Sequence, residues 1–404
     1  MESIKSSVLT INGGSSSIKF SLYQIEESLT QLFSGEIESI GTKNAKLNFN
    51  NTNTDQKESI NISVSNYEDA ANFLIDWLQK KYSFDFIKAI GHRIVHGMKH
   101  TAPEQITSEL LIELKAISAY DPEHLPGEIK LIEVFRNRYP ALVQIACFDT
   151  SFHTSMPKVA KWLSIPRRYY AMGIQRYGFH GLSYSYLMEE LKRIAGNEAA
   201  QGKIMLAHLG NGASLAAVKE GECIDTSMGF TPASGLVMGT RTGDLDPGVA
   251  WYLMQVEKFT PQQFNHLINH ESGLLGISET SSDMRELIKN KNTDTHAAEA
   301  FDLFCYQTKK FIGSYAAALE GLDTLVFSGG IGEHSPEVRS QICDGLEFLG
   351  IELDEIKNMN NEVIISTDKS KVCIRVIKTN EELMIARLVC NVLNYSIKNL
   401  LLWK

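Results

Sequence analysis

Three observations predict an α/β chain built as two domains. With 404 residues, the chain exceeds the size at which a single hydrophobic core stops growing. Runs rich in β-branched residues alternate with helical patterns from Ser7 through Phe148. A strand, turn, strand unit at 7–23, SVLTINGGSSSIKFSLY, recurs at 203–221 as KIMLAHLGNGASLAAVKEG, and setting Asn12 on Asn211 also sets Gly13 on Gly212, Gly14 on Ala213 and Ser15 on Ser214.

The elements follow in chain order. In the first unit an Asn12-Gly13-Gly14 turn separates two alternating runs, which is a hairpin signal. Residues 44–58 are dense in Asn, Thr and Lys and read as an exposed loop or an edge hairpin. Ala70, Phe73, Leu74, Trp77 and Leu78 recur at helical spacing within 66–82, and Phe86–Ile90 reads as a short strand. Near the far end, DTLVFSGGIGEHSPEV at 323–338 is an apolar strand running into Gly329-Gly330-Ile331-Gly332 and then a helix. Neither a P-loop nor a dinucleotide fingerprint is present at these glycines.

Composition narrows the function. Hydrophobic residues make up 43% and charged residues 22%, enough for a real core. The formal net charge of -9 argues against a nucleic-acid or acidic-membrane partner, because no positive field gathers a polyanion. Cys147, Cys223, Cys305, Cys343, Cys373 and Cys390 are scattered without a C-x-x-C pair, which suits free thiols in a reducing compartment. The N-terminal stretch has no basic n-region before an apolar run, and no stretch of 18 apolar residues occurs, so a cytoplasmic location is expected.

Glycine-containing turns expose successive backbone N–H groups without side-chain cover, which makes a cradle for phosphate oxygens. Two duplicated hairpin turns of this kind, with the serine hydroxyls beside them, are expected to hold the phosphates of a nucleotide. The glycine-rich helix start is expected near its base and ribose.

The segments INGGSSSIKF, GHRIVHG, FDTSFH, RYGFHG, HLGNGAS, DTSMGFTPASGLVMGTRTGDLDPG, SSDMRE, FSGGIGEHSP and TNEELMIAR resemble the successive signatures of the acetate kinase family, in family order from residue 11 to residue 387. The resemblance implies the two-domain actin-like ATPase fold of the actin, hexokinase and Hsp70 superfamily, with duplicated ribonuclease H-like domains of mixed sheets flanked by helices. It implies an ATP-dependent phosphotransferase with acetate as acceptor, Mg2+ or alternatively Mn2+, and a homodimer.

The resemblance also assigns residues. Arg93 and Arg241 fall at the acyl and phosphoryl centre, where a guanidinium offers paired donors to carboxylate and phosphoryl oxygens. His180 donates to the transferring phosphoryl, with His124 and His208 near the cleft, and Asn12 reaches the same group. Asp149 and Glu381, together with Asn12, correspond to the metal-holding residues, and Glu382 is able to substitute. Ser15, Ser17 and Lys19 match the first phosphate loop, and alternation along a strand would set them on one face. His208, Gly210, Asn211 and Gly212 match the second. Asp283, Met284, Arg285, Gly330, Ile331 and Gly332 fall where the family binds adenosine, and Val95, Phe179 and Pro232 correspond to the wall around the acyl methyl.

An acceptor carboxylate is ionised at neutral pH, so the reaction requires charge neutralisation and no base. A sugar or polyol kinase of the same superfamily would instead use Asp149 as a base, and a nucleotide-driven clamp would need no acyl pocket. The chain departs from the family at DPEHLPGE, where Leu-His-Asn-Pro is usual. That departure sets Glu123 on an apolar pocket position and leaves propionate or another short acyl chain as the alternative acceptor. Domain I is expected at 1–150 plus 380–404 and domain II at 151–379, with nucleotide closing the cleft.

Overall fold

The computed structural model describes residues 6–14, 16–52, 54 and 56–397. It divides into two compact units, one formed by the chain up to Ser151 with the segment from Asn380 onward, the other by Phe152–Thr379.

The first unit is an eight-stranded mixed sheet in the order β5-β4-β3-β2-β1-β6-β8-β7. Its strands are β1 (Ser7–Gly13), β2 (Ile18–Ile25), β3 (Leu29–Glu38), β4 (Lys46–Asn51), β5 (Gln56–Asn61), β6 (Ile87–Ile94), β7 (Glu104–Gln105) and β8 (Val143–Phe148). β1 pairs antiparallel with β2 and parallel with β6, which in turn runs parallel to β8. Every residue of β1 is buried, as expected of a central strand covered on both faces. Leu9 and Ile11 join Phe20, Leu74, Trp77, Leu131 and Phe135 in the core beneath the Tyr67–Lys81 and Leu125–Arg138 helices. The Tyr67–Lys81 helix realises the predicted spacing, with Ala70, Leu74, Trp77 and Leu78 buried and the Asn66 side chain accepting from the Asp69 N–H at 2.9 Å. The polar stretch at 44–58 resolves as the β4–β5 edge hairpin. β5 is exposed along most of its length and carries Lys57 and Glu58, charges that discourage edge pairing.

The Glu381–Val392 helix returns to this unit and packs on β1 and β6. Its first turn is capped by the Asn380 side chain and carries Glu381 and Glu382, placed where the helix dipole favours negative charge. Gly91 in β6 makes the approach possible. A Cβ there would stand 2.4 Å from Ile385 Cγ2 and 2.7 Å from Val389 Cγ2.

The second unit is a five-stranded mixed sheet ordered β11-β10-β9-β12-β13, from β9 (Lys203–Leu209), β10 (Ala213–Lys219), β11 (Glu222–Thr226), β12 (Thr324–Ser328) and β13 (Cys373–Val376). The long Thr295–Leu319 helix, capped by Asp294, packs on β9, β10 and β11.

Both hairpins exist, but they are not equivalent. β1 continues through Gly13, which pairs with Ile18, while Asn12 pairs with Lys19. The first turn therefore lies one to two residues later than the Asn-Gly signal suggests, closed by Gly14 N–H to Ser17 C=O at 2.8 Å. Asn12 is drawn into the strand because its buried side chain finds carboxylate partners on the returning helix, a tertiary gain that overrides turn preference. In the second hairpin, Leu209 pairs with Ala213 and the turn is Gly210–Gly212. The third glycine run differs as well. The Gly329–His334 helix starts on the first glycine, with φ +75° at Gly329, where a Cβ would meet the Leu209 carbonyl at 2.6 Å.

Replacing Gly91 by Ala overpacks the β6–helix contact and is expected to destabilise the protein by about 1–3 kcal/mol. The denaturant midpoint in urea unfolding will report the loss.

Candidate active site

In the first unit four of the expected residues converge. Asn12 Nδ2 donates to Glu381 Oε2 at 2.9 Å and to Glu382 Oε1 at 3.4 Å. Arg93, at the end of β6, donates from Nη1 to the Gly13 carbonyl at 3.1 Å and from Nη2 to Asp149 Oδ2 at 2.8 Å. Asp149 follows the end of β8, fully buried, and its N–H continues the sheet to the Ile94 carbonyl. Parallel pairing of β6 with β8, Arg93 opposite Cys147 and Ile94 opposite Phe148, sets this ion pair.

A further acid, Glu128, stands in the same cluster. Its carboxylate is buried, lies 3.6 Å from Arg93 Nη1, and accepts the Val95 N–H at 2.9 Å on Oε2, while Oε1 has no hydrogen-bond partner. Burial pushes its pKa up to about 8 against the lowering effect of Arg93 and the Val95 amide. For Arg93, burial alone would weaken the cation, but the charge of Asp149, 2.8 Å away, outweighs it and keeps the guanidinium charged. Glu382 is also raised, first by burial and then by the charge of Glu381.

In the second unit the hairpin turn is the focus. A Cβ on Gly212 would lie 3.1 Å from His180 Nε2 and 3.2 Å from Arg241 Nη2, so three expected residues face one point. Arg241 is oriented by Nη1 donating to the Pro232 carbonyl at 2.7 Å. His180 stands at the start of the Gly181–Gln201 helix with φ +59°, a left-handed conformation that costs a non-glycine residue about 1–3 kcal/mol. Several contacts hold it there. His180 Nδ1 bonds Ser214 Oγ at 2.8 Å, its ring stacks on His208 with centroids 4.4 Å apart, and His153 Nε2 holds the preceding Phe179 carbonyl at 2.8 Å. His208 Nδ1 is tied to Ser183 Oγ at 2.8 Å.

A cleft of about 500 Å³ opens next to this turn, lined by Gly210, Asn211, Met284, Gly330, Ile331 and His334, with Asp283 and Arg285 at its edge. Met284 is buried and Arg285 exposed, its guanidinium paired with Asp283. Arg339 sits behind it, fully buried, and donates to the Gly332 carbonyl at 2.8 Å and to Asn358 and Asn361. Burial lowers its pKa to about 10, and its partners are all neutral. This cation locks the glycine-rich helix that forms one wall.

The expected residues are thus distributed plainly. Asn12, Arg93, Asp149 and Glu381 cluster in one unit, with Val95 just past Arg93 in the chain and Lys19 paired with Asn12 across the β1–β2 ladder. His180, His208, Gly212, Arg241 and Pro232 cluster in the other, and all expected adenosine residues except Gly332 line the cleft. Gly332 is buried and contributes only its carbonyl, to Arg339. Ser15 lies outside the described residues. Ser17 precedes β2, so alternation does not put it on a common face with Lys19. His124 bonds Asp121 Oδ1 at 3.0 Å. Glu123 is half-buried on the turn before the Leu125–Arg138 helix, and the buried acids of the DPEHLPGE segment are Asp121 and Glu128. Glu128, Arg339 and His153 were missed. Glu128 did carry a signal, since it breaks the apolar face of its helix among Leu125, Ile129, Leu131, Ile132 and Phe135.

Because the folded Glu128 carboxyl keeps its proton to about pH 8 and an unfolded one releases it in the ordinary carboxyl range, the folded state binds more protons between those values. The unfolding free energy will fall as pH rises across that interval and level off above it. Glu128→Gln is expected to remove this part of the slope in denaturation curves measured from pH 5 to 9.

Residues 7–387 match the model of the acetokinase family. The chain is 41% identical over 386 residues to an acetate kinase of Rhodopseudomonas palustris, covering 94% of this chain and 96% of that protein. Among solved structures it resembles an acetate kinase of Porphyromonas gingivalis, with TM-score 0.85, 36% identity and coverage of 96% and 100%. It also resembles a propionate kinase of Francisella tularensis, with TM-score 0.88, 38% identity and coverage of 95% and 98%. The two mixed sheets flanked by helices are those of the actin-like ATPase fold, and the chain belongs to the acetokinase family.

Proposed function

We propose that this chain transfers the γ-phosphoryl group of ATP to acetate, reversibly and in line, giving acetyl phosphate and ADP. The observation that carries the reading is the convergence of Arg241 Nη2 and His180 Nε2 on the side-chain-free Gly212 turn, in a chain matched by the acetokinase family along nearly its whole length. Those donors, with the turn's backbone N–H groups, suit the phosphoryl oxygens. Arg93 suits the acceptor carboxylate. Val95 in the first unit and Phe179 and Pro232 in the second are buried apolar residues of a kind that suits a short acyl chain. The acceptor is already ionised, so each group acts by holding charge and geometry, and none has to remove a proton. Asp149 commits Oδ2 to Arg93, which favours this reading over one in which it serves as base for a hydroxyl acceptor.

Mg2+, or Mn2+ in its place, fits the oxygen donors of Glu381, Asn12 and Asp149, with Glu382 next to them. Glu382 is raised first by burial and then by the charge of Glu381, with Lys19 acting the other way, and the two carboxylates stand together beside Asn12. Among the described residues no three acidic, His or Cys side chains form a closed cage, as expected where nucleotide phosphates and water complete the shell. When bound, the ion neutralises charge on the nucleotide phosphates.

The Pro247–Gln255 helix, with Val249, Trp251 and Tyr252 exposed and no residue buried, supports a homodimer through this face. Six free cysteines, five of them buried, and no helix among the described residues long and apolar enough to cross a membrane accord with the cytoplasm.

Two sets of measurements check these readings. Trapping acyl phosphate as its ferric hydroxamate is expected to give a signal with acetate and a weaker one with propionate, since a methylene changes binding by about 1–3 kcal/mol. Arg93→Ala and Arg241→Ala should each lower kcat/KM about 10²–10³-fold. Absence of signal with acetate, propionate and butyrate overturns the assignment. In sedimentation velocity the native protein is expected to run as a dimer and Trp251→Glu as a monomer, and a native monomer rejects the interface.

A further inference from the structure

Glu128 is left without a task by the chemistry above, yet its placement is costly. It projects from the Leu125–Arg138 helix among apolar neighbours and is only 2% exposed. A carboxyl in such a position is tolerated when its environment makes specific use of it.

Its contacts say what that use is. β6 ends at Ile94, so the Val95 amide lies past the ladder and requires another acceptor. Glu128 Oε2 supplies it at 2.9 Å. The same carboxyl lies 3.6 Å from Arg93 Nη1, and a Cβ on Gly13 would stand 3.5 Å from Glu128 Cγ. One side chain thus touches the acceptor arginine, the backbone of an apolar wall residue and the floor of the first hairpin turn.

We propose that Glu128 is a positioning residue for the acceptor: by accepting the Val95 amide while its carboxyl stands against the Arg93 guanidinium, it sets the spacing between the cation that binds the carboxylate and the surface that binds the acyl chain. The inference rests on the acceptor role given to Arg93 and Val95. DPEHLPGE, the segment where the chain leaves its family's usual motif, thereby gains a function through its last residue.

The test compares the native enzyme with Glu128→Gln, Glu128→Asp and Glu128→Leu, varying acetate and propionate at saturating ATP, then ATP at saturating acetate. Gln retains an oxygen for the Val95 amide and is expected to stay within about threefold of the native acetate KM. Leu removes the acceptor and Asp falls short of it, so both should raise the acetate KM about tenfold or more while moving the ATP KM less than about twofold. Binding of an ATP analogue by calorimetry verifies that each variant is folded. An unchanged acetate KM in folded Leu and Asp variants overturns the proposal, as does a parallel rise of both KM values or a Gln variant as impaired as Leu. If Leu fails to fold, the Gln and Asp pair decides by the same criteria. A native enzyme that phosphorylates none of the short carboxylates removes the acceptor reading itself, and this inference with it.

Discussion

The guanidinium of Arg93 is the interaction on which the first unit's site depends. It binds the Gly13 carbonyl at the end of β1, Asp149 just past β8 and, more loosely, Glu128 on the Leu125–Arg138 helix. Three segments far apart in sequence are thereby fixed to one planar group, whose fork geometry makes such multiple recognition possible. A buried cation needs these partners, because removing it from water is unfavourable unless nearby negative charge and acceptors replace the lost hydration. The result is a cation with 13% of its side chain still exposed, anchored on one side and able to present its remaining donors.

The second unit solves a different problem. Glycine stands where any side chain would fill the space, Gly212 against His180 and Arg241 and Gly329 against the Leu209 carbonyl, which suits the phosphate role proposed for these turns. Polar side chains are then held by partners that are themselves fixed. Ser214 and His208 hold His180, Pro232 orients Arg241, and Arg339 clamps the glycine-rich helix through a carbonyl. The strained backbone at His180 belongs to this pattern, since a left-handed histidine persists only where its surroundings over-determine it.

In the proposed reaction both arrangements act by neutralising charge. That suits a carboxylate acceptor, which arrives ionised. Acyl length is the less sharply defined part of the proposed reading, because a single methylene has a small energetic signature.

Much was legible in the sequence. Strand and helix periods, the glycine turns and the motif order determined the α/β class, the family and the chemistry of charge neutralisation, because these depend on local backbone preference and on residue type. Tertiary structure decided what local rules cannot weigh. Asn12 reads as a turn residue and lies in a strand, since its carboxylate partners come from Glu381 and Glu382, more than 350 residues away. Gly329-Gly330-Ile331-Gly332 reads as leading from a strand into a helix, and the structure starts the helix on its first glycine, where β12, paired with β9, ends. The acid that matters in DPEHLPGE is Glu128 and not the more conspicuous Glu123. Helical phase turns Glu128 inward toward Arg93 and the Val95 amide, and only the packed sheet supplies those partners.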